Sequence, residues 1–267
     1  MMHRHLVAFF CALVAVYTTQ AGETARQILD RVKKLDDTTR HWTDRHQRLK
    51  LTIYDRRGGE RVRELEVYDR RYSGDENKTV VFFLSPAEVK GTAFLSYSHK
   101  GKPADQWLYL PELQRVRQIT ARSRNESFMG TDLSYHDLDL LQEMPSWTED
   151  DAAAKSSPEA TVDDTPTHVI EESPKREDIG YQRVILWIGR DDLFARKVEF
   201  FGEESEPTKR ILQKDVKTVN NIPVAHRQEI ETPRNGSRTV VEVSDVQFNQ
   251  QLEDDLFTQR ALERGGR

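Results

Sequence analysis

The sequence predicts an α+β fold in which a strongly curved antiparallel β-sheet carries a few helices. Many short segments alternate apolar and polar residues with a period of two, and most are separated by breaks rich in Gly, Asn and Pro. Two segments, residues 80–84 and 184–188, are apolar at every position, so both of their faces must be covered. An antiparallel sandwich or barrel explains the first observation, and a bent sheet with a helix in its mouth explains both.

The chain begins with the pattern of a secretory signal peptide, residues 1–21. Arg4 lies in a short basic region, residues 6–17 are an apolar run of 12, and Thr19 and Ala21 are small residues at the −3 and −1 positions of a cleavage site. This run is shorter than the ~20 apolar residues that cross a bilayer. We therefore expect a periplasmic protein whose single domain spans residues 22–267, with an uncleaved anchor as the alternative.

The next element is a predicted helix that starts near Thr24. Thr24 and Gln27 have the spacing of a capping box, and apolar residues then recur at helical intervals, at Ala25, Ile28, Leu29, Val32 and Leu35. This single apolar stripe predicts a helix that packs against a sheet. Predicted strands follow over residues 49–54, 64–68, 79–84, 92–97, 107–110, 115–120, 182–188, 195–201, 208–216, 225–231 and 239–248.

A second helix is predicted to begin at Thr131 and Asp132 and to end at Pro145. Gly130 gives the backbone freedom just before that start. The segment 127–141 is therefore either a movable cover over the sheet or a plainly packed helix. Residues 149–164 contain six acidic residues against one lysine, so we expect an inserted acidic loop that stays solvated.

The net charge of the chain argues against one class of partner, and a local basic patch suggests another. The chain has 45 acidic and 40 basic residues and a formal net charge of −5, so a nucleic-acid partner is not expected. One basic patch consists of Arg115, Arg117, Arg122 and Arg124. It is either a solvated strand edge that discourages edge-to-edge pairing, or a contact for an anionic headgroup or a partner through Arg115 and Arg117.

Catalytic chemistry is not expected. Ser127, Asp132 and His136 are residue types of a catalytic triad, but no Gly-x-Ser-x-Gly turn surrounds the serine. A capped turn and an exposed histidine explain them better, although a hydrolase stays a minor alternative. His136, Asp137 and Asp139 do not converge on one helix face. We expect no catalytic residue, no metal site and no cofactor.

An unusual number of aromatic side chains lies on the predicted strands and in the loop just before the second predicted helix. They are either ordinary core or the lining of a cavity, and composition does not separate the two. We assign six residues to the lining of a hydrophobic cavity: Phe83, Phe94, Trp107, Tyr109, Phe128 and Met129.

Several short motifs of the sequence are similar to those of a known family. They are mainly residues 83–86 (FLSP), 90–92 (KGT), 105–111 (DQWLYLP), 115–117 (RVR) and 127–135 (SFMGTDLSY), with support from 184–188 (VILWI), 197–199 (KVE), 244–248 (SDVQF) and 256–258 (LFT). In these motifs the sequence resembles the LolA-like outer-membrane lipoprotein-sorting proteins of Gram-negative bacteria. The resemblance implies a strongly curved, unclosed antiparallel β-barrel with helices packed in its mouth. It also implies a carrier that shelters lipids or lipoprotein acyl chains in the periplasm.

The same resemblance implies the partners. These are a lipid or an acylated protein, with an inner-membrane transporter and an outer-membrane acceptor. The alternative is a periplasmic sensor or adaptor that binds a membrane-anchored regulator or transporter. Two features depart from the family pattern: His136 stands where an acidic residue is expected, and residues 149–164 resemble an insertion.

Overall fold

An open antiparallel sheet of thirteen strands dominates the part of the chain that the structure describes. This computed structural model describes residues 23–73 and 75–265, so the signal peptide predicted at residues 1–21 lies outside the described residues. The strands are β1 (Asp44–Tyr54), β2 (Glu60–Arg71), β3 (Asn77–Ser85), β4 (Ala93–His99), β5 (Lys102–Leu110), β6 (Arg115–Gln118), β7 (Ala152–Val162), β8 (Thr165–Pro174), β9 (Arg183–Gly189), β10 (Ala195–Phe201), β11 (Lys209–Val219), β12 (Ile222–Thr232) and β13 (Ser237–Phe248). The predicted fold class is confirmed.

Within residues 23–73 and 75–265, three helices accompany the sheet: α1 (Ala25–Asp37), α2 (Tyr135–Glu143) and α3 (Gln259–Arg264). Short 3₁₀ turns lie at Pro111–Leu113, Met144–Ser146, Glu177–Ile179 and Asp254–Phe257. Over the described residues, none of the helices combines the length and the apolar character that a membrane crossing requires.

The sheet consists of two meanders joined at one seam. Its strand order is β6-β5-β4-β3-β2-β1-β13-β12-β11-β10-β9-β8-β7, and every neighbouring pair is antiparallel. Strand β1 pairs with β13 over most of its length, so the first and last strands close the seam. The two free edges are β6 and β7. The chain between them carries α2 across the mouth of the curved sheet.

Helix α1 begins as the sequence predicts. The Thr24 hydroxyl accepts a hydrogen bond from the Gln27 N–H, and Oε1 of Gln27 accepts one from the Thr24 N–H at 2.8 Å. Ala25 and Ile28 are buried, and the rest of the predicted apolar stripe packs against the same core. The predicted capping box and docking face are confirmed.

Helix α2 begins later than predicted. Its N-cap is Ser134, which forms a capping box with Asp137, and its first helical residue is Tyr135. The expected start at Thr131 and Asp132 is wrong. Asp132 uses its carboxylate to accept hydrogen bonds from strands β12 and β13 instead of from its own backbone. A tertiary contact has therefore replaced the expected local cap.

The acidic segment 149–164 is not a solvated loop, and that expectation is wrong. Most of it forms the edge strand β7, whose backbone pairs with β8, a strand that the sequence analysis missed. Most β7 side chains are exposed, so its composition resembles that of a loop. Pro158 lies where the pairing register shifts, a position that needs no N–H donor, and Lys155 pairs with Glu171 of β8. Backbone hydrogen bonds, not burial, order this segment.

The two faces of the sheet carry separate apolar clusters. The inner cluster lies under α1 and α2 and includes Phe83, Phe94 and Val184. The outer cluster joins Val80, Phe82, Ala93 and Leu95 to Phe257 and Leu262 of the C-terminal segment. Residues 80–84, one of the two segments predicted to be covered on both faces, are covered by the inner cluster on one face and by the C-terminal segment on the other. In the second segment, 184–188, the inward residues join the inner cluster, whereas Ile185 and Trp187 are half-buried and belong to neither cluster.

Candidate functional site

A cavity of about 600 Å³ lies between the concave face of the sheet and the helices α1 and α2. Most of its wall is aliphatic and comes from both meanders: Leu51, Leu65, Val67, Val81, Leu186, Ile188, Val198, Ile211, Ile230, Val241 and Val243. Small-molecule cavities in proteins are typically of this size and character. The wall suits a ligand that is largely hydrocarbon.

Strand alternation builds this wall. On β2, Leu65 and Val67 face the cavity, and Leu51 does so on the neighbouring β1. Between them, Glu66 projects from the other face, where it accepts a hydrogen bond from Nε of Arg48 at 3.0 Å. Because successive residues of a strand point to opposite faces, one alternating sequence supplies both an apolar wall and a charged exterior.

Two segments cover the cavity. Leu29 and Val32 of α1 contact it from one side, and Leu138, Leu141 and Trp147 contact it from the segment that joins the two sheet edges. The cavity is therefore bounded by elements that are not strands of the sheet. Such elements are able to move without breaking the sheet's hydrogen bonds.

Arg26 fastens α1 to the β7 side of the mouth. Its guanidinium donates to the carbonyl oxygens of Trp147 at 3.1 Å and Ala152 at 2.9 Å, and one nitrogen lies 3.5 Å from Oε1 of Glu172. Glu172 lines the cavity and is 2 % exposed. Burial raises the pKa of this carboxyl to about 7, even though the nearby Arg26 acts to lower it.

Three of the predicted lining residues meet beneath the cover. The Phe128 ring lies 5.1 Å from that of Phe94 and 6.0 Å from that of Phe83, and Tyr135 packs edge-on against Phe128. Phe94 and Phe128 reach the cavity, and Phe83 packs behind them in the inner cluster. Their contact with a ligand stays a prediction.

Met129 belongs to the same loop and packs against the inner cluster. Its backbone adopts a φ of 50°, and its carbonyl oxygen accepts a hydrogen bond from the buried Arg63 of β2. Burial lowers the pKa of Arg63. The Met129 backbone therefore ties the loop to the sheet. Its side chain is not among those that line the cavity, and its contact with a ligand stays a prediction.

Trp107 and Tyr109 are not cavity residues, and their assignment to the lining is wrong. In the register of β4 with β5, Trp107 lies opposite Leu95 and Tyr109 opposite Ala93, and all four side chains belong to the outer cluster. Leu108 is the β5 residue that packs against the inner cluster. The sequence of β5 alone shows neither the register of its pairing with β4 nor which of its faces points towards the cavity.

Arg115 and Arg117 lie on β6, the edge strand, and both are exposed. They face solvent and not the cavity. The position agrees with a solvated edge that discourages pairing with another sheet. A headgroup or partner contact at these two residues stays a prediction.

One end of the cavity is polar, which was not predicted from the sequence. On β2 the inward row that begins with Leu65 and Val67 continues through Asp69 to Arg71, and Arg45 of β1 lies directly opposite Asp69. Arg45 donates two hydrogen bonds to one carboxylate oxygen of Asp69, from Nε at 2.9 Å and from Nη2 at 2.8 Å. The period-two pattern places these residues on the apolar face, so it was the signal that could have revealed them.

An aromatic ring organises this end. The guanidinium carbon of Arg71 lies 3.8 Å from the centroid of the buried Trp42 ring, and that of Arg45 lies 5.1 Å from it. Burial lowers the pKa of Arg71 and raises the pKa of the Asp36 carboxyl of α1, which also lines the cavity. Positive charge therefore lies against an aromatic face inside a mostly apolar cavity.

Ser127, Asp132 and His136 do not assemble a triad. The Ser127 hydroxyl donates to the Thr131 carbonyl at 2.6 Å, and His136 contacts the Ile179 carbonyl through Nε2 at 2.7 Å. Asp132 accepts from the hydroxyl of Thr239 at 2.7 Å and from those of Thr232 and Ser237. Each of the three has its own structural partners: Ser127 closes a turn within its loop, His136 joins α2 to the turn at Ile179, and Asp132 is the one of the three that ties the loop to the sheet.

Two further buried carboxylates hold α2 in place. Asp137 accepts hydrogen bonds from the Tyr181 hydroxyl at 2.6 Å and from Lys209 of β11. Although burial acts to raise the pKa of Asp137, the ion pair with Lys209 and these hydrogen bonds together lower it. Asp139 accepts from Ser98 and from the backbone N–H of Ala104. The helix is therefore bound to both meanders, through β4 and β5 on one side and β11 on the other.

Comparison with known proteins shows which protein family this chain matches. A model of a protein family described as "-like: Uncharacterized protein" matches residues 75–264. No curated protein matches the sequence. The family model covers the larger part of the chain, from β3 to α3.

Solved structures share the whole fold. An outer membrane lipoprotein-sorting protein domain from Vibrio parahaemolyticus is 26 % identical, with a TM-score of 0.80, over 90 % of this chain and 98 % of that one. A DUF1329 family protein from Desulfovibrio piger is 24 % identical, with a TM-score of 0.81, over 90 % and 100 %. A LolA superfamily protein from Nitrosomonas europaea is 18 % identical, with a TM-score of 0.65, over 90 % and 100 %. The last two show the fold alone.

Proposed function

This chain belongs to the family whose model matches residues 75–264 and has the LolA-like fold of a lipoprotein-sorting domain, and from that premise we propose that it is a non-enzymatic periplasmic carrier. Its cargo is a lipid or the acyl chain of a lipoprotein, held in the cavity between the sheet and the helices. The transfer runs towards the outer membrane. An inner-membrane transporter supplies the cargo and an outer-membrane acceptor receives it.

The observation that carries this proposal is the apolar, covered cavity. Its wall is built from aliphatic side chains of both meanders, and α1 and α2 lie over it. Burying an acyl chain stabilises a complex by ~0.8 kcal/mol per CH₂ group. Even part of one chain in this cavity therefore gives useful affinity, and release requires only that the cover be displaced.

Native mass spectrometry of the protein purified from a periplasm, with lipid extraction, tests the proposal directly. We expect masses above that of the protein alone, and an extractable lipid or acyl chain that accounts for the difference. A clean protein mass together with no uptake of a fluorescent fatty acid would contradict the carrier. Co-purification of a membrane-anchored regulator without lipid would instead support a sensor or adaptor.

A substitution that fills the cavity provides a second test. Val67 lines the cavity, whereas Val62 lies on the same strand with 38 % of its surface exposed. We expect Val67→Phe to weaken fatty-acid uptake with a small change in melting temperature, because the cavity has room for the larger ring. Val62→Phe is the matched control and should bind as the wild type does. Unchanged uptake by Val67→Phe would place the cargo elsewhere.

A further inference from the structure

We propose that the polar end of the cavity is a headgroup site that selects amphiphiles with an anionic carboxylate or phosphate head, and that Arg71 is the residue that binds it. This inference deepens the proposed function and rests on it. The site consists of Trp42, Arg45, Asp69 and Arg71, with Asp36 opposite on α1. It is distinct from the exposed arginines of β6.

Arg71 is the member of this group whose donors are not used. Arg45 is engaged by Asp69, and Arg40 donates to the carbonyl oxygen of Asp192. Among residues 23–73 and 75–265, no carboxylate forms an ion pair with the Arg71 guanidinium, and no side-chain hydrogen bond joins it. A guanidinium offers five N–H donors in a rigid fork that matches carboxylate and phosphate oxygens.

The position of Arg71 makes these donors valuable to a ligand. Its guanidinium carbon lies 3.8 Å from the centroid of the Trp42 ring, and burial lowers its pKa. An ionised group that loses water without gaining a partner costs free energy. An anionic head that displaces the remaining water relieves this cost, which favours charged over neutral amphiphiles.

The nearby carboxylates do not cancel the site. Asp69 shares its oxygens between Arg45 and the Thr79 hydroxyl, so it is already neutralised by partners of its own. Burial raises the pKa of Asp36, so its negative charge is easier to remove than that of an ordinary aspartate. Four cationic side chains line this end, Lys33, Arg40, Arg45 and Arg71, against the three carboxylates of Asp30, Asp36 and Asp69. Asp37 of α1 also acts on Arg71, although it does not line the cavity.

The geometry also gives the tail a place. Leu65, Val67, Asp69 and Arg71 form one inward row on β2. At ~3.3 Å per residue this row extends roughly 20 Å from the charged end into the aliphatic wall. An acyl chain of one bilayer leaflet spans about 15 Å, half of the hydrocarbon core. A head at Arg71 therefore leaves the chain lying along the apolar wall.

Calorimetric titration with ligands of matched chain length tests the proposal. The ligands are palmitate, hexadecyl phosphate and the neutral hexadecanol, and acetate and inorganic phosphate represent free anions. The proteins are the wild type, Arg71→Gln, Arg71→Lys and Arg115→Gln, the last of which tests the alternative headgroup contact on β6. We expect the wild type to bind both charged amphiphiles about tenfold more tightly than hexadecanol, the difference that one charge-assisted contact gives.

The variants should separate the head from the tail. Arg71→Gln should lower palmitate affinity to that of hexadecanol and leave hexadecanol unchanged, Arg71→Lys should retain part of the preference, and Arg115→Gln should retain all of it. Equal affinity of the wild type for all three amphiphiles, or loss of preference in Arg115→Gln alone, overturns the headgroup site and leaves the carrier intact. Failure of every amphiphile to bind, hexadecanol included, overturns the carrier itself.

Two controls keep the proposal testable. Free acetate or phosphate that binds as tightly as the amphiphiles would show an anion site without a lipid role, and would overturn it. If Arg71→Gln does not fold, carboxyl-labelled palmitate on the wild type decides by NMR. A carboxyl pKa below that of an ordinary carboxylic acid supports contact with the guanidinium, and a raised carboxyl pKa places the head in the apolar wall and refutes it.

Discussion

Leu95 and Trp107 lie opposite each other in the pairing of β4 with β5, and both side chains project from the outer face of the sheet. Trp107 packs edge-on against Tyr97 at 5.0 Å, and the cluster continues to α3. These aromatic residues therefore attach the C-terminal helix to the outer face of the sheet, on the side away from the cavity.

Trp107→Ala is expected to destabilise the protein and to leave lipid uptake unchanged. The cost should fall below the ~3–5 kcal/mol typical of a fully buried aromatic residue, because Trp107 keeps part of its surface exposed. Chemical denaturation and fatty-acid uptake measure the two effects. Loss of uptake at unchanged stability would return Trp107 to the cavity lining. Phe94→Ala, on the other face, should affect both.

Asp132→Asn should loosen the loop before α2. The carboxylate of Asp132 accepts from three hydroxyl groups of β12 and β13, and an amide cannot accept all of them. Leaving buried hydroxyl groups without partners costs ~1–3 kcal/mol, which a lower melting temperature would reveal. Asp150→Asn, at an exposed position, is the matched control. Equal melting of both variants would show that the network does not hold the loop.

Glu172 should make stability depend on pH in the neutral range. Its carboxyl pKa is about 7 in the folded protein against an ordinary 4.5, so the folded state keeps a proton that the unfolded chain loses between these values. Stability from this group is therefore lost as the pH rises from about 4.5 to 7, by on the order of 3 kcal/mol.

Melting curves at several pH values measure this effect. The wild type should lose more stability between pH ~5 and ~8 than Glu172→Gln, which keeps a neutral side chain throughout. Asp36 and Glu143, whose carboxyl pKa values are also raised, remain in both proteins, so the difference isolates Glu172. Glu159→Gln, an exposed neighbour on β7, should behave as the wild type does. Parallel pH profiles for the wild type and Glu172→Gln would refute the prediction.

Within the segment that covers the cavity, we expect the loop of residues 127–133 to be the part least protected from amide hydrogen exchange. Helix α2 is fastened by the buried carboxylates of Asp137 and Asp139, whereas residues 127–133 adopt a turn with a positive φ at Met129 and Gly130. We expect residues 127–133 to exchange amide hydrogens faster than β3 without ligand and more slowly with palmitate, while α2 stays protected. Equal exchange of loop and strand in both states would indicate a fixed wall.

Sequence reasoning succeeded where local pattern and tertiary structure agree. The capping box of α1 and the alternation of β2 depend on neighbours in the chain, and both are confirmed. It failed where a distant partner decides. Strand β7 is ordered by β8, and Asp132 turned from a helix cap into an anchor because Thr239 lies beside it.

The residues of the candidate site divide in the same way, into those that the local sequence reveals and those that a distant partner decides. Leu65 and Val67 were recognisable as one face of a strand, but nothing in the chain marked that face as concave and hollow. Asp69 and Arg71 continue the same row, but the predicted strand ends at residue 68, whereas β2 extends to Arg71. The register of β4 with β5, which is a long-range property, decided that Trp107 faces outward.

The pairing of β1 with β13 must form before the cavity is complete. Cavity residues from β1 to β4 and from β9 to β13 face one another only after this seam has formed, because it joins the two meanders. Its partners, such as Leu51 and Val241, are separated by nearly the entire domain, and contacts of this kind form slowly. For the proposed carrier, binding of an acyl chain therefore requires that β13 has already paired with β1, so loading follows closure of the seam.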